Sequence, residues 1–171
     1  LRLEPLVQAH AAALYPLLAD PLLYTWVDHG PPASEAALQA VYARWEARRS
    51  PDGSEQWLNW VVFNARQQAL GFVQATVLDG QCAWVAYMLG RAHWGQGHGR
   101  AATAALVEHL AKAHGVRHCL ACVERGNLRS LRLLQLLGFE VADAATAAQH
   151  GLSPSEVLLV RDSPAAQTLS C

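Results

Sequence analysis

The spacing of apolar and polar residues changes several times along the chain, and each change marks an element. Leu1-Arg2-Leu3-Glu4-Pro5-Leu6 alternates like a strand. Val7 to Ala19 carries Ala and Leu at helical spacing and stops at Asp20-Pro21, because the residue before a proline is pushed out of the helical region. Gly30-Pro31-Pro32-Ala33 reads as a loop. Ser34 is placed to N-cap a helix running to about Arg49, with Leu38, Val41, Tyr42 and Trp45 on one side. Ser50 to Ser54 is turn chemistry. Three strands follow at Trp57 to Phe63, Leu70 to Leu78 and Cys82 to Leu89, with a turn near Asn64-Ala65-Arg66 and a hairpin signal at Asp79-Gly80. They predict an antiparallel meander. A helix is expected from about Gly97 to His114, ended by Gly115. Then come a strand at Val116 to Val123, a helix from Asn127 to Leu137 closed by Gly138, and strands at Phe139 to Ala142 and Glu156 to Arg161. Tyr24 to Ala33 and Ala144 to Pro154 read as loops. The order β-α-α-β-β-β-α-β-α-β-β predicts an α/β fold with a mixed sheet, as a single layered domain over residues 1–162 and a loose tail over 163–171.

Composition narrows the classes. A chain of 171 residues is enough for one domain with a core that needs no metal or disulfide staples. Hydrophobic residues make up 52% and charged residues 16%, which argues against disorder. A net charge of -1 lacks the basic surplus of a nucleic-acid binder, and Arg44, Arg48 and Arg49 read as a solvated helix face. No apolar run approaches the ~20 residues that span a bilayer, and the start lacks the apolar core of a signal peptide. Cys82, Cys119, Cys122 and Cys171 form no disulfide pattern, so a reducing cytoplasm is expected. Cys119-x-x-Cys122 falls in a predicted strand, where positions three apart point to opposite faces and share no metal. The histidines show no metal spacing either. No metal is expected.

The segment Trp94-Gly95-Gln96-Gly97-His98-Gly99-Arg100-Ala101 carries the chemistry. Its glycines allow a tight turn and close approach of a ligand to the main chain. The first amides of the helix that begins there have no internal partners, and with the helix dipole they form a phosphate site. Arg100 adds a charge. A Walker P-loop string is absent. Gly97-His98-Gly99-Arg100-Ala101-Ala102 matches the dinucleotide fingerprint, with Glu124 near the place of a ribose-binding acid. The long loop after Leu89 and the antiparallel strands before it weigh against that reading.

The chain resembles the GNAT N-acetyltransferases, and within them the RimJ/RimL-type branch that includes ribosomal-protein N-terminal acetyltransferases. The family's pyrophosphate loop corresponds to Trp94-Gly95-Gln96-Gly97-His98-Gly99, and Asn127-Leu128-Arg129-Ser130 with Leu137-Gly138-Phe139 resembles the branch's Asn-x-x-Ser and Leu-Gly-Phe signature. The look of Leu3-Glu4-Pro5-Leu6 through Asp20-Pro21 extends the likeness over nearly the whole chain to about Arg161. There are departures. Trp94 stands for the family's usual Arg or Gln, as is common in this branch, where the loop tends to read Trp-Gly-x-Gly; Ala101 stands for the branch's frequent Glu, and no Tyr, the residue many relatives elsewhere in the superfamily carry on this helix, occurs between Asn127 and Phe139.

The resemblance implies acetyl-CoA as cosubstrate and an amine acceptor, either a protein N-terminus or a small molecule, in a direct ternary-complex transfer. It implies a pair of splayed strands, one ending at Leu89 and the other at Val116 to Val123, that receives the pantetheine arm. The amide of Leu89 or Met88 would face the thioester carbonyl. Trp94, Gln96, Gly97, His98, Gly99, Arg100 and Ala101 would hold the pyrophosphate, with Asn127 and Ser130 beside the arm and Ser130 as candidate proton donor to the thiolate. The general base is not assigned; Glu124, Glu140 and Glu156 are candidates by rough location. Trp26 is a candidate for the acceptor pocket. A monomer or homodimer is expected, with no nucleic-acid or membrane partner. Two other classes stay open: a non-catalytic acyl-CoA-binding or interaction module, and the nucleotide-dependent reductase.

Overall fold

A computed structural model describes residues 1–78 and 81–163. The hairpin signal Asp79-Gly80 and the tail from residue 164 lie outside the described residues. One seven-stranded mixed sheet carries the fold, in the order β1-β2-β3-β4-β5-β7-β6. The strands are β1 (Arg2–Pro5), β2 (Gln56–Phe63), β3 (Ala69–Val77), β4 (Cys82–Leu89), β5 (His118–Glu124), β6 (Glu140–Val141) and β7 (Glu156–Asp162). The meander is antiparallel from β1 through β4, β4 and β5 are parallel, and β5, β7 and β6 are antiparallel. The mixed α/β fold is as expected.

Five α-helices cover the sheet: α1 (Ala11–Leu18), α2 (Glu35–Trp45), α3 (His98–His114), α4 (Leu128–Leu136) and α5 (Ala144–Gln149). The first stretch is shorter than expected, because Gln8–His10 is a 3-10 turn ahead of α1 and the His10 ring accepts from the Val7 amide at 3.0 Å. Ser34 caps α2 by accepting from the Ala37 amide, as its position predicts. Helix α5 is a correction to the sequence reading, which made 144–154 a loop. Asp143 caps it by accepting from the Thr146 amide, and none of its residues is buried. A helix without an apolar stripe leaves no periodic trace to read. Ser163, placed in the expected tail, still donates to Arg117 O at 2.7 Å.

Strand alternation sends side chains to two cores. One face carries Val85, Leu89, Ala121 and Val123 against Leu106, Leu110 and Leu134 of α3 and α4. The other carries Val61, Phe72 and Met88 against Leu14, Leu18, Leu38 and Tyr42 of α1 and α2. On that second face, His150 just past α5 meets the Trp84 ring edge-on at 5.4 Å. Glycine at 71 is obligatory: a Cβ there would strike Met88 O and Leu89 Cα, because β3 and β4 lie close at this point. Among the described residues no helix is long and apolar enough to cross a membrane.

Among the described residues two buried hydroxyls, Tyr42 Oη and Thr103 Oγ1, have no hydrogen-bond partner. An unpaired buried polar atom costs stability. Tyr42→Phe is therefore expected to stabilise the fold by roughly 1 kcal/mol, whereas Leu106→Ala, at a fully buried site, is expected to cost about 2–5 kcal/mol. Urea titration of the two variants checks both signs.

Candidate active site

The central feature is a gap in the sheet. β4 and β5 pair only at Cys82, Ala83 and Trp84, opposite His118, Cys119 and Leu120. Beyond that point β4 continues along β3 to Leu89, and β5 continues along β7 to Glu124. Each keeps one neighbour and loses the other. The register decides which main-chain groups face the gap. Leu78 N–H donates to Cys82 O at 2.9 Å and Gly90 N–H to Leu70 O at 2.8 Å. Even-numbered residues of β4 therefore bond to β3, and odd-numbered ones point the other way. Tyr87 and Leu89 thus turn their main-chain groups into the gap. On the far side, Arg125 N–H donates to Ser155 O at 2.8 Å and Ser163 N–H to Arg117 O at 2.7 Å. Odd residues of β5 are taken by β7, and Cys122 and Glu124 face the gap.

The end of β4 is clamped. Trp94 Nε1 donates to Leu89 O at 2.8 Å, and the Arg129 guanidinium lies 4.1 Å over the Trp94 ring. The Leu89 carbonyl is held by this indole while its N–H stays directed into the gap.

The glycines beside the gap have separate tasks. Gly95 and Gly97 have φ of +73° and +80°, and a Cβ on either would meet nothing within 4 Å. They turn the chain and leave open space beside it. Gly99 instead brings α3 close to its neighbours, since a Cβ there would press Leu133 Cδ1 at 3.1 Å. Gly97 is the N-cap of α3 and no side chain caps the helix. The first helical bond runs from Ala101 N–H to Gly97 O at 3.0 Å. The amides of His98, Gly99 and Arg100 lie ahead of it at the positive end of a 17-residue helix. Gln96 turns back on the loop and donates to Ala92 O at 2.8 Å.

Across the gap, Asn127 caps α4 by accepting from the Ser130 amide at 3.2 Å. Ser130 Oγ lies 2.8 Å from Tyr87 Oη. Burial pushes the Tyr87 phenol above its ordinary value, opposed by the bond to Ser130. Tyr87 thus stays protonated in the neutral range.

The second face carries two further features. A cavity of about 390 Å³ lies between α1, α2 and strands β3 and β4, with Tyr24, Tyr42, Trp45, Phe72, Gln74 and Met88 in its wall. Next to it, at the open end of β5, Cys122 donates to Glu156 Oε1 at 3.0 Å and Glu124 accepts from Ser155 at 3.1 Å. Desolvation, the Glu156 bond and the charges of Glu156, Glu124 and Asp28 push the Cys122 thiol up to about 12. Glu156, bonded to Cys122 and to the Ser153 amide, is held below the usual carboxylate range.

The family model described as the acetyltransferase (GNAT) domain matches residues 1–140. The chain belongs to the GNAT acetyltransferase family. Among solved structures, an aminoglycoside acetyltransferase in complex with coenzyme A is 22% identical with a TM-score of 0.74, covering 98% of each chain. A spermidine N-acetyltransferase from Vibrio cholerae is 15% identical with a TM-score of 0.73, covering 93% of this chain and 92% of that one. A GNAT acetyltransferase from Bacillus anthracis is 11% identical with a TM-score of 0.74, covering 94% and 93%. At such identities the likeness is one of fold. No curated protein matches the chain.

In this GNAT domain most of the expected site residues come together. Gly97, His98, Gly99, Arg100 and Ala101 form the start of α3, and Asn127 and Ser130 the start of α4, which packs on α3 where Leu133 meets Gly99. Leu89 and Met88 separate: the Leu89 amide faces the gap, while Met88 bonds to β3 and sends its side chain to the second face. Trp94 acts locally, on Leu89 O. Glu124 and Glu156 are paired in register at the open end of β5, whereas Glu140 lies on the edge strand β6, beyond β7. Trp26 is corrected. It is absent from the cavity wall, where Val27 and His29 stand, and its ring instead covers Gly126, where a Cβ would overlap it. Cys119 is in the α3/α4 core and Cys122 on the opposite face. Tyr87 and Arg129 had no assigned role in the sequence reading. Their partners, Ser130 and Trp94, are 43 and 35 residues away along the chain; only a contact map joins them.

The raised Cys122 pKa predicts slow alkylation, because the thiolate is the nucleophile. At pH 8 Cys122 is expected to react with iodoacetamide at least tenfold more slowly than a free thiol, and Glu156→Gln to speed it. Mass spectrometry of the labelled peptide reads both rates.

Proposed function

We propose that this GNAT domain transfers the acetyl group of acetyl-CoA to a primary amine, by direct attack in a ternary complex. The observation that carries the proposal is the pairing of an uncapped α3 N-terminus with the unpaired β4 edge at Tyr87 and Leu89. The first fits a pyrophosphate, and the second fits the amides of pantetheine as an added strand would. The solved neighbours in complex with coenzyme A and spermine, and with coenzyme A and kanamycin, support a CoA thioester and an amine as the two substrates. The Trp-Gly-x-Gly loop and the Asn-x-x-Ser motif favour the RimJ/RimL-type branch.

The roles follow from the geometry. The amides of His98, Gly99 and Arg100 hold the pyrophosphate, with Arg100 and Arg129 adding positive charge. Leu89 N–H receives the oxyanion as the amine nitrogen bonds to the thioester carbon; such a donor is worth roughly 3 kcal/mol in other enzymes. The ammonium first gives up a proton to water, and the nitrogen loses its second proton to water once it is bonded to the thioester carbon; as the C–S bond breaks, the CoA sulfur takes a proton from Ser130, which solvent replaces. Tyr87 is a positioning residue. Its phenol lies 2.8 Å from Ser130 Oγ, and that bond orients and polarises the serine hydroxyl.

Coenzyme A is expected to raise the melting temperature in a concentration-dependent way, and NAD to leave it unchanged. Gly97→Ala is expected to remove the CoA shift, since its Cβ enters the open space beside the amides and the backbone is held at φ +80°. Ser130→Ala is expected to lower kcat roughly 100-fold or more with KM for acetyl-CoA nearly unchanged, and Tyr87→Phe to lower kcat less, with no added loss in the double variant. Thiol release measured with Ellman's reagent reads each value. Binding of CoA with no thiol release under any amine would reduce the domain to an acyl-CoA-binding module.

A further inference from the structure

The second-face cavity has a chemical character that the transfer reading leaves unused. Its wall is built from Tyr24, Tyr42, Trp45, Phe72 and Met88, with Gln74 as its side-chain amide. No Asp, Glu, Lys or Arg lines it among the described residues. At about 390 Å³ it sits at the small end of ligand pockets. It abuts the gap directly, because Ala86, Tyr87 and Met88 of β4 line it and the Tyr87 main chain faces the gap. The acidic groups lie outside it. Glu124 and Glu156 stand on β5 and β7 beside Cys122, and the charge of Asp28 reaches the same thiol. Their side chains are on the cavity's face of the sheet, since Cys119, Ala121 and Val123 occupy the other.

We infer that the acceptor is a small primary amine with a single positive charge on a compact aromatic body, such as a 2-arylethylamine. The inference rests on the acetyl-transfer reading for the position of the nitrogen. The ring lies in the cavity among Trp45, Phe72 and Tyr24, where aromatic pairs add to the gain from burial. The ammonium stays at the gap, short of the thioester and on the face of the sheet that carries Glu124 and Glu156. A polycation would bring a second ammonium into a wall with no carboxylate, and an uncompensated buried charge is costly. An amino acid would bring its carboxylate there, with no lysine or arginine to meet it and His29 as the one basic side chain in the wall among the described residues. The Tyr42 hydroxyl, buried behind this wall without a partner, leaves one polar atom unused by the protein itself.

The test uses the full chain loaded with coenzyme A. Calorimetry measures binding of 2-phenylethylamine, spermine, kanamycin, phenylalanine and a tetrapeptide with a free N-terminus, and thiol release from acetyl-CoA measures turnover of the same set. At least tenfold tighter binding of 2-phenylethylamine than of every other compound is expected, together with at least tenfold higher kcat/KM. Equal or tighter binding of spermine, kanamycin, phenylalanine or the tetrapeptide overturns the inference and leaves the acetyl-transfer reading standing. Tight 2-phenylethylamine binding with no turnover supports the pocket and sinks the transfer reading instead. Gln74→Glu places a carboxylate in the wall with no change of shape. It is expected to raise the spermine to 2-phenylethylamine ratio of binding constants at least tenfold, and an unchanged ratio overturns the inference.

Discussion

The early parting of β4 from β5 is the constraint on which the site depends. A parallel pair inside a sheet normally satisfies its main-chain groups along its whole length. Here it does so for three residues and then stops. The cost is a set of main-chain groups at Tyr87, Leu89, Cys122 and Glu124 that no neighbouring strand pairs across the opening, the Leu89 carbonyl being taken by Trp94 Nε1 instead. The two halves of the sheet are then joined across the opening by α3 and α4, which pack on both. Everything placed at the opening is therefore held by rigid elements on either side.

Local rules decide what each surrounding residue does there. Three glycines in one loop serve two purposes: Gly95 and Gly97 bend the chain, and Gly99 admits Leu133. Trp94 fastens the Leu89 carbonyl and offers its face to Arg129. The positive charge at the opening is thus carried in part by α4. The two faces of the sheet divide the labour further. The face under α3 and α4 presents amides and hydroxyls, and the face under α1 and α2 presents aromatic rings.

Much of this was legible in the sequence because it is written locally. The strand ends at Leu89, Ser34 as a cap, Asn127 ahead of Ser130 and the αL stop at Gly115 all follow from short-range chemistry. Helix α5 was missed because Asp143 starts it by a cap alone and no apolar stripe marks it. The Tyr87–Ser130 pair leaves no local trace, because the phenol comes not from the helix that carries Ser130 but from β4 beneath it. Trp26 is a candidate for the pocket on account of its loop; the loop does reach the cavity, but through Val27 and His29. Direction of a side chain out of an irregular segment is set by contacts far away in sequence, and no periodicity reports it.

The indole of Trp26 resting on Gly126 ties the loop ahead of α2 to the turn between β5 and α4. The two positions are 100 residues apart and share one volume. The ring is 45% exposed, so a larger residue at 126 pushes it outward rather than demanding a smaller partner. Bulk at 126 therefore sets where the indole lies, and with it how closely the loop ahead of α2 rests on the turn that leads into α4.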